Sequence, residues 1–402
     1  MSTIVLPDDL TAPSYGTGSL AAVLPAVAGS LGIDVTTATG IESGTARAAL
    51  GLPDARRVVV VLVDGLGMHN LAERGGHAPF LRGLLRDGRT VTTSAPSTTA
   101  AALATFGTGT SPGLTGMLGY TQRNPATGGL ATLVSWTEQS DPYRPGPKMS
   151  GTFGVDPQDL QREPTVLEQI GAALPVVAPG RAKFAGSGMT RAALRGPRHV
   201  VAERAADAVD ATVRALRAEG LVYLYLGDVD KTGHRDGPDS WQWGHALEEV
   251  DGELRRLARS VPRGTVVVVT ADHGMVATDP ARQHDVATHP ELARDVALLG
   301  GEPRFGHVYA APGADVAALA TRWADALGDD ALVVTGADAV AAGWFGPVAD
   351  HVRPVVGDVL AVARGRATVV DSRIHPAPAR QMPGVHGSLT PTEMHVPLLV
   401  AA

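Results

Sequence analysis

Three apolar runs decide the fold of this chain: residues 58–63 (VVVVLV), 221–226 (LVYLYL) and 265–270 (TVVVVT). Each run is nearly continuous and rich in β-branched residues, which is typical of strands buried on both faces of a parallel sheet. Amphipathic helical patterns at 202–219 and 244–259 alternate with these runs. The alternation predicts an α/β fold with a doubly wound, mostly parallel sheet and helices on both faces.

The segment 279–380 lies between two motif-bearing parts of the chain and has elements of its own. We therefore expect a catalytic α/β domain made of residues 1–278 and 381–402, with 279–380 forming a small inserted cap. The elements predicted within this cap are a helix at about 314–327 and strands near 307–310 and 331–334.

Three other segments can be interpreted from local patterns. Residues 396–400 suggest a final strand, and the stretch 115–162, rich in Gly, Pro, Ser and Thr, is expected to form long surface loops. The apolar segment 19–33 is interrupted by Pro and preceded by two Asp rather than by Lys or Arg. It therefore predicts a packed helix and not a signal peptide.

The composition of the 402 residues excludes several classes of protein. The chain has no Cys, which excludes disulfides, thiolate nucleophiles and Cys-based metal sites, whereas its 13 His could supply metal ligands. A net charge of −7 has the wrong sign for a protein that binds a nucleic-acid duplex. No run of 18 apolar residues occurs, so we predict no membrane span and expect a cytoplasmic protein.

Acidic and imidazole groups follow all three apolar runs, at the strand ends where ligands collect in parallel sheets. Asp64 follows the first run, Asp230 and His234 the second, and Asp272-His273 the third. Each motif alone is also compatible with a helix N-cap or a turn. Carboxylates that converge on one edge repel one another unless a cation lies between them, and Asp/His sets without Cys suit Zn²⁺ or Mn²⁺.

A candidate nucleophile lies in Ser97-Thr98-Thr99, directly before an Ala-rich helical stretch that ends at Gly109. Hydroxyls at a helix N-terminus lie beside free backbone N–H groups and can bind phosphate, although an ordinary N-cap has the same pattern. The nearby GTGTSPG lacks the Lys of a nucleotide P-loop, and the G-x-S-x-G motif of serine hydrolases is absent. Near the C-terminus, Gly-Val-His-Gly-Ser contributes a further imidazole, His386.

Taken in order, these motifs resemble the alkaline phosphatase superfamily, in particular its type I phosphodiesterase / nucleotide pyrophosphatase branch. The resemblance covers roughly residues 58–120, 221–238, 265–275 and 384–400. It implies two divalent metal ions, Zn²⁺ in preference to Mn²⁺, beside a Thr nucleophile that lies ten residues before the Gly of a Thr-Gly pair, which is Thr99. The implied ligands are Asp64, Asp272, His273 and Thr99 for the nucleophile-side metal, and Asp230, His234 and His386 for the other.

The function that the resemblance implies is hydrolysis of phosphodiester or pyrophosphate bonds in a small, possibly nucleotide-type substrate, through a phosphothreonine at Thr99. A phosphomonoesterase or phosphonate hydrolase of the same superfamily is an alternative, and a metal-dependent protein that binds phosphorylated ligands without turnover is a second. A phosphomutase would need another phosphate site, for which the sequence contains no motif. The oligomeric state stays open.

The sequence departs from the branch at positions that usually hold phosphate. Thr115 stands where the branch has a His, and Tyr120 and Ala102 stand where it often has Asn. Tyr120 is therefore a candidate substrate-binding residue, and the preference between mono- and diesters stays open. Asp228 matches no motif position, and we expect it not to bind metal but to support the ligands or to belong to a loop.

Overall fold

The computed structural model describes residues 4–144 and 150–401 of the chain. Strands and helices are numbered in chain order. The strands are β1 (Arg57–Val63), β2 (Arg89–Thr92), β3 (Thr121–Arg123), β4 (Leu130–Thr132), β5 (Thr137–Gln139), β6 (Gly151–Thr152), β7 (Val176–Gly180), β8 (Arg198–Val201), β9 (Gly220–Leu226), β10 (Thr265–Thr270), β11 (Val276–Ala277), β12 (Gln283–Asp285), β13 (Val296–Glu302), β14 (Phe305–Ala310), β15 (Ala331–Thr335), β16 (Val359–Ala363), β17 (Thr368–Val370), β18 (Gly384–Val385) and β19 (His395–Ala401).

Helices connect most of these strands. They are α1 (Val23–Ser30), α2 (Ser43–Leu50), α3 (Met68–Glu73), α4 (Pro79–Leu85), α5 (Thr99–Thr108), α6 (Pro112–Thr115), α7 (Pro157–Leu160), α8 (Val166–Gly171), α9 (Gly188–Ala193), α10 (Ala205–Ala215), α11 (Asp228–Asp236), α12 (Trp241–Ser260), α13 (Pro290–Ala293), α14 (Val316–Leu327), α15 (Gly336–Ala341), α16 (Ala377–Arg380) and α17 (Pro391–Met394).

The central sheet has seven strands in the order β2-β19-β10-β1-β9-β7-β8. The strands β10, β1, β9, β7 and β8 run parallel, whereas β19 pairs antiparallel with both β10 and β2. The predicted strands at 58–63, 221–226, 265–270 and 396–400 are all present in this sheet. Side chains 58–63 of β1 are fully buried, which explains why this run is apolar at every position, as the sequence analysis predicted.

Helices cover this sheet and extend its core. The predicted amphipathic helices are α10, which packs against β7 and β9, and α12, which packs against α4 and α10. The predicted packed helix near the N-terminus is also confirmed, since all but one of the residues of α1 are buried. Within residues 4–144 and 150–401, no helix is long and apolar enough to cross a membrane.

A second sheet of eight strands has the order β15-β16-β14-β13-β3-β4-β5-β6, and its strand pairs are antiparallel. It includes the strands predicted near 307–310 and 331–334, and the predicted helix at 314–327 is α14. A separate core, which contains Tyr309 and Trp323, lies between this sheet and α14.

The expectation of long loops at 115–162 was wrong in part. The strands β3 to β6 lie there and extend the second sheet, while residues 145–149 of that stretch lie outside the described part of the chain. Each of these strands has only two or three residues, which is too short for the sequence to show a period of two. The second sheet thus combines strands from 121–152 and from 296–363. The division into a cap at 279–380 and a catalytic domain stays a prediction.

Candidate active site

The functional side chains follow strands β10, β1 and β9 at the edge of the central sheet where the parallel strands end, called here the carboxyl edge. Asp64 comes directly after β1, while Asp272 and His273 come just after β10. After β9 the chain turns into α11, and an i, i+4 spacing puts Asp230 and His234 on one face of that helix. Since the three strands are neighbours, all these side chains lie close together.

Gly65 allows the loop after β1 to lie close to Asp230 in α11. Its φ is +73°, and a Cβ at this position would lie 2.9 Å from the Cβ of Asp230. A side chain at residue 65 would therefore strain the backbone and displace Asp230.

Each of the three site imidazoles has its Nδ1 in a hydrogen bond with a backbone carbonyl. His234 bonds to the carbonyl of Gly384 at 2.9 Å, and His273 and His386 bond to those of Gly274 and Ser97 at 3.0 Å. A carbonyl oxygen can only accept, so Nδ1 carries the hydrogen and Nε2 presents a lone pair. Metal-binding His residues in proteins are usually oriented in this way.

The lone pairs of the three Nε2 atoms face carboxylates. His234 Nε2 is 3.3 Å and His386 Nε2 is 3.9 Å from Asp230 Oδ1. His273 Nε2 is 3.4 Å from Asp64 Oδ1 and 3.6 Å from Asp272 Oδ2. The structure therefore brings all six Asp and His residues that the sequence singled out as ligands into one cluster.

The cluster contains two groups of atoms that could each hold a metal ion. One consists of Asp230, His234 and His386, and the other of Asp64, Asp230 and His273, with the ligand atoms of each group within 4.8 Å of one another. Asp230 belongs to both groups, whereas the sequence motif assigned it to one. Its carboxylate thus lies between the two positions.

The charges of the cluster fit divalent cations. Within the described part of the chain, neither Asp64 Oδ1 nor Asp272 Oδ2 accepts a hydrogen bond, although both atoms are buried. Burial, and then the neighbouring carboxylates of Asp272 and Asp230, raise the pKa of Asp64 well above its usual value. Cations among these oxygens would remove the repulsion, and oxygen and imidazole nitrogen are ligands that Zn²⁺ and Mn²⁺ accept.

Of the three hydroxyls in the predicted nucleophile segment, that of Thr99 faces the cluster. Thr99 Oγ1 is 3.2 Å from His273 Nε2. Ser97 is buried and donates its hydroxyl to the carbonyl of Ser388, while the Thr98 hydroxyl contacts the carboxyl group of Glu302. The geometry therefore favours Thr99 over the other two, in agreement with the spacing argument.

Thr99 is also the first residue of the ten-residue helix α5. The first N–H groups of a helix have no carbonyl partner within that helix, and the Thr98 side chain does not cap them. These donors and the positive end of the helix dipole lie next to the Thr99 hydroxyl, where they can bind the oxygens of a phosphoryl group.

A cavity of 470 Å³ opens above the cluster and is lined by Asp64, Thr99, Tyr120 and His386 among others. The side chain of Tyr120 is about half exposed there, and its backbone N–H donates to Glu302 Oε1 at 2.9 Å. Asp228 forms an ion pair of 3.2 Å with Arg181 and belongs to neither group of metal-binding atoms.

The sequence did not identify two polar groups, one that bonds to the cluster and one that contacts the nucleophile segment. The hydroxyl of Tyr225 donates to Asp64 Oδ2, and the Glu302 carboxyl group lies against Thr98. Burial raises the pKa of Glu302 to about 7, although hydrogen bonds from Tyr120 and Thr98 oppose the shift. One sequence feature could have identified Tyr225, since its hydroxyl is a polar group within an otherwise apolar strand. No local feature identifies Glu302, which belongs to the second sheet.

A buried ion pair connects the second sheet to the loops that contain His273 and His386. Arg304 donates to both carboxylate oxygens of Glu393, at 3.0 and 2.7 Å, and both side chains are fully buried. Glu393 Oε1 also accepts the N–H of Ser388, and its backbone carbonyl accepts the N–H of Gly274. The pair therefore fixes the residues next to two of the three imidazoles.

Comparison with known proteins identifies proteins that are similar to this chain. The model of a family described as type I phosphodiesterase / nucleotide pyrophosphatase matches residues 58–389. Among curated proteins, a phosphopentomutase of Clostridioides difficile (strain 630) is 33% identical over 128 residues, which are 30% of each chain. A phosphopentomutase of Anaeromyxobacter sp. (strain Fw109-5) is 30% identical over 211 residues, 47% of this chain and 52% of that one. The chain thus spans about a third to a half of these two relatives.

Solved structures share the fold. Phosphonoacetate hydrolase from Sinorhizobium meliloti 1021, in complex with phosphonoacetate, superposes with a TM-score of 0.68 at 20% identity, covering 92% of this chain and 93% of that one. Human ectonucleotide pyrophosphatase / phosphodiesterase 5 superposes with a TM-score of 0.65 at 16% identity, covering 86% and 87%. An inactive murine form of the latter is in complex with AMP.

Proposed function

Because the chain belongs to the type I phosphodiesterase / nucleotide pyrophosphatase family, we propose that it is a metal-dependent phosphoester hydrolase with Thr99 as nucleophile. Its substrates would be small phosphodiesters or pyrophosphates, including nucleotide-type compounds. The observation that carries the proposal is the set of three imidazoles with Nδ1 held by backbone carbonyls and Nε2 turned toward carboxylates beside the Thr99 hydroxyl.

The proposed metal ligands combine the two groups of atoms with the ligand sets that the sequence motifs imply. Asp64, Asp272, His273 and Thr99 would hold one cation, and His234, His386 and Asp230 the other, with Asp230 able to reach both. When bound, two divalent cations, Zn²⁺ or Mn²⁺, would supply Lewis-acid activation of the hydroxyl and neutralise charge on the phosphoryl and leaving oxygens. Tyr225 would keep the Asp64 carboxylate in position through its hydrogen bond.

The remaining steps depend on residues of the chain itself. The N–H groups at the start of α5 would bind a non-bridging oxygen and place phosphorus next to Thr99 Oγ1. The Thr99 oxygen would attack phosphorus opposite the leaving oxygen and form a phosphothreonine, which water then hydrolyses. The cavity that contains Tyr120 would hold the organic part of the substrate.

The test is hydrolysis of bis(p-nitrophenyl) phosphate and of p-nitrophenyl phosphate by protein supplied with Zn²⁺ or Mn²⁺. In Thr99→Ala we expect kcat to fall by about 10³-fold or more, since the neighbouring hydroxyls of Ser97 and Thr98 are bonded elsewhere. Thr99→Ser keeps the hydroxyl and should retain measurable turnover, and both variants should keep their metal. Unchanged hydrolysis by Thr99→Ala would exclude Thr99 as nucleophile.

A second candidate function is phosphoryl transfer to an acceptor other than water, because the curated relatives include phosphopentomutases. Incubation of the metal-loaded protein with ribose 1-phosphate separates the two candidates. Release of inorganic phosphate supports a hydrolase, whereas conversion to ribose 5-phosphate without phosphate release supports a mutase.

A further inference from the structure

The cavity above the metal-binding cluster continues along the carboxyl edge toward the ends of β7 and β8. In the sheet order β10-β1-β9-β7-β8, the cluster lies at the ends of β10, β1 and β9. The continuation lies at the ends of β9, β7 and β8, so the two parts share the end of β9. Four cations line this continuation, and we call them the basic wall: Arg181 and Lys183 after β7, Arg204 after β8, and Lys231 in α11 after β9.

Two of these four cations are available for a ligand. Arg181 pairs with Asp228 at 3.2 Å, and Arg204 is held by both oxygens of Asp207. In the described part of the chain, neither Lys183 nor Lys231 has a carboxylate within ion-pair distance of its Nζ. Among the described residues, no carboxylate therefore neutralises their ammonium groups locally.

The carboxylates on the wall do not cancel this charge. Asp228 is engaged by Arg181, and Glu203 Oε1 accepts the backbone N–H of Ala182 at 2.9 Å. Together with Asp207, which is paired with Arg204, three carboxylates accompany the four cations, and each has a partner other than Lys183 or Lys231. The adjacent cluster at β10, β1 and β9 is rich in carboxylates. The charge of the lining residues therefore changes from negative at the cluster to positive at the basic wall.

The choice of Lys at these positions contrasts with the rest of the sequence. Of the 34 basic residues, 31 are Arg, and the three Lys are Lys148, Lys183 and Lys231. Two of the three thus line the same cavity. An ammonium group is a compact charge with three donors on a flexible stem, so it can follow an anion whose position is not fixed by a planar fork.

Two aromatic rings connect the wall to the cluster. Lys183 Nζ lies 5.1 Å from the ring centroid of Phe184, and Phe184 is edge-on to Tyr225 with centroids 5.7 Å apart. The Tyr225 hydroxyl in turn donates to Asp64. Both rings line the cavity, so the organic part of a substrate with a phosphoryl group at the cluster and an anion at the wall would lie beside them.

We propose that Lys183 and Lys231, with Arg181 beside them, bind a second anionic group of the substrate, a phosphate or a carboxylate, while the reacting phosphoryl group lies at the cluster. The inference rests on the proposed hydrolase function and adds the substrate class to it. The preferred substrates are compounds with two anionic groups joined by a short organic spacer.

The test is competitive inhibition of methyl p-nitrophenyl phosphate hydrolysis by three phosphonates of matched length. Propylphosphonate carries one anionic group, 3-phosphonopropionate adds a carboxylate, and propane-1,3-bisphosphonate adds a second phosphonate. For the wild-type enzyme we expect one or both of the probes with a second anionic group to bind about 10- to 100-fold more tightly than propylphosphonate. This is the gain expected from charged hydrogen bonds. The probe with the larger advantage identifies the second group as phosphate or carboxylate.

The variant Lys183→Met/Lys231→Met should lose this advantage, judged by the ratio of inhibition constants within each protein. The control Arg86→Met/Arg217→Met removes the same charge from exposed positions and should keep it. Equal binding of all three probes by the wild type, or an advantage that survives in the Lys variant, would overturn the proposal.

If no ester is hydrolysed, the proposed hydrolase function is wrong, whereas the proposed anion site at the basic wall can still be tested. In that case isothermal titration calorimetry of the metal-loaded protein with the three phosphonates tests the basic wall directly, with the same expected ratios and the same contradicting result.

Discussion

The two halves of the carboxyl edge belong to one cavity but are built in opposite ways. At β10, β1 and β9, Asp64, Asp272 and His273 are buried, and each polar atom has a fixed neighbour or faces another ligand. At β7, β8 and the start of α11, Lys183 and Lys231 are exposed and have no local counter-charge in the described part of the chain.

This difference indicates that the two halves of the carboxyl edge have different roles. A buried set of ligands depends on position, so the loss of one contact changes the whole group. An exposed basic surface acts through charge and flexible donors, so its residues affect which substrate binds more than how fast it reacts. Substitutions in the first half should therefore have large effects on metal content, turnover or stability, and those in the second should change selectivity.

The largest effect is expected from His386→Ala. It removes one ligand of the group that contains Asp230 and His234, so the protein should lose one metal ion per chain and about 10³-fold in kcat/KM. Metal analysis and hydrolysis assays measure both. His395→Ala removes an imidazole that stacks on His69 away from the cluster, and full metal content is expected there. Unchanged metal content in His386→Ala would contradict the assignment.

The next effect concerns the ion pair behind the cluster. Glu393→Gln leaves the buried Arg304 guanidinium without a counter-charge, and we expect the free energy of unfolding to fall by about 3–5 kcal/mol. Urea denaturation checks this value. The double variant Arg304→Met/Glu393→Met should recover part of the loss, since no charge is then buried alone, whereas Asp350→Asn in an exposed pair should leave the midpoint unchanged. A midpoint for Glu393→Gln equal to that of Asp350→Asn would show that the pair does not stabilise the protein.

A smaller effect is expected from Tyr225→Phe. The change deletes the hydroxyl that donates to Asp64 while keeping the ring beside Phe184, and kcat/KM should fall about 10- to 100-fold. Tyr223→Phe is the matched control in the same strand, because the Tyr223 hydroxyl makes no hydrogen bond within the described residues. Equal losses in the two variants would argue against a specific role for the bond to Asp64.

The last effect is a pH dependence of stability and concerns Glu302, at the end of β13. Its pKa is raised to about 7 from 4.5, so as the pH rises through this window the unfolded state releases its proton first. In metal-depleted protein, the free energy of unfolding should fall between about pH 4.5 and 7 relative to that of Glu302→Gln, by at most about 3 kcal/mol. Chemical denaturation at several pH values measures the difference, and parallel profiles for the two proteins would contradict it.

The sequence predicted the half of the edge that depends on local patterns. Continuous apolar runs identify strands buried on both faces, and residues just after a strand or four apart on a helix identify Asp64, Asp230 and His234. Nothing local shows that Glu302 approaches Thr98, because the second sheet brings them together across 204 positions of the chain.

The basic wall was missed for the same reason. Arg181, Lys183 and Lys231 come from different strand ends and share no motif, and they are neighbours only because β7 lies next to β9 in the sheet. The short strands at 121–152 were missed because two or three residues cannot show a period.

The most direct test of the two-metal account is the metal content of Asp230→Asn, because this carboxylate belongs to both groups of ligand atoms. Protein dialysed against Zn²⁺ and then against metal-free buffer would be analysed by inductively coupled plasma mass spectrometry, with exposed Asp239→Asn as control. The account predicts two ions per chain in the wild type and in Asp239→Asn, and no more than one in Asp230→Asn. One ion or none in the wild type, or two ions retained by Asp230→Asn, would contradict it.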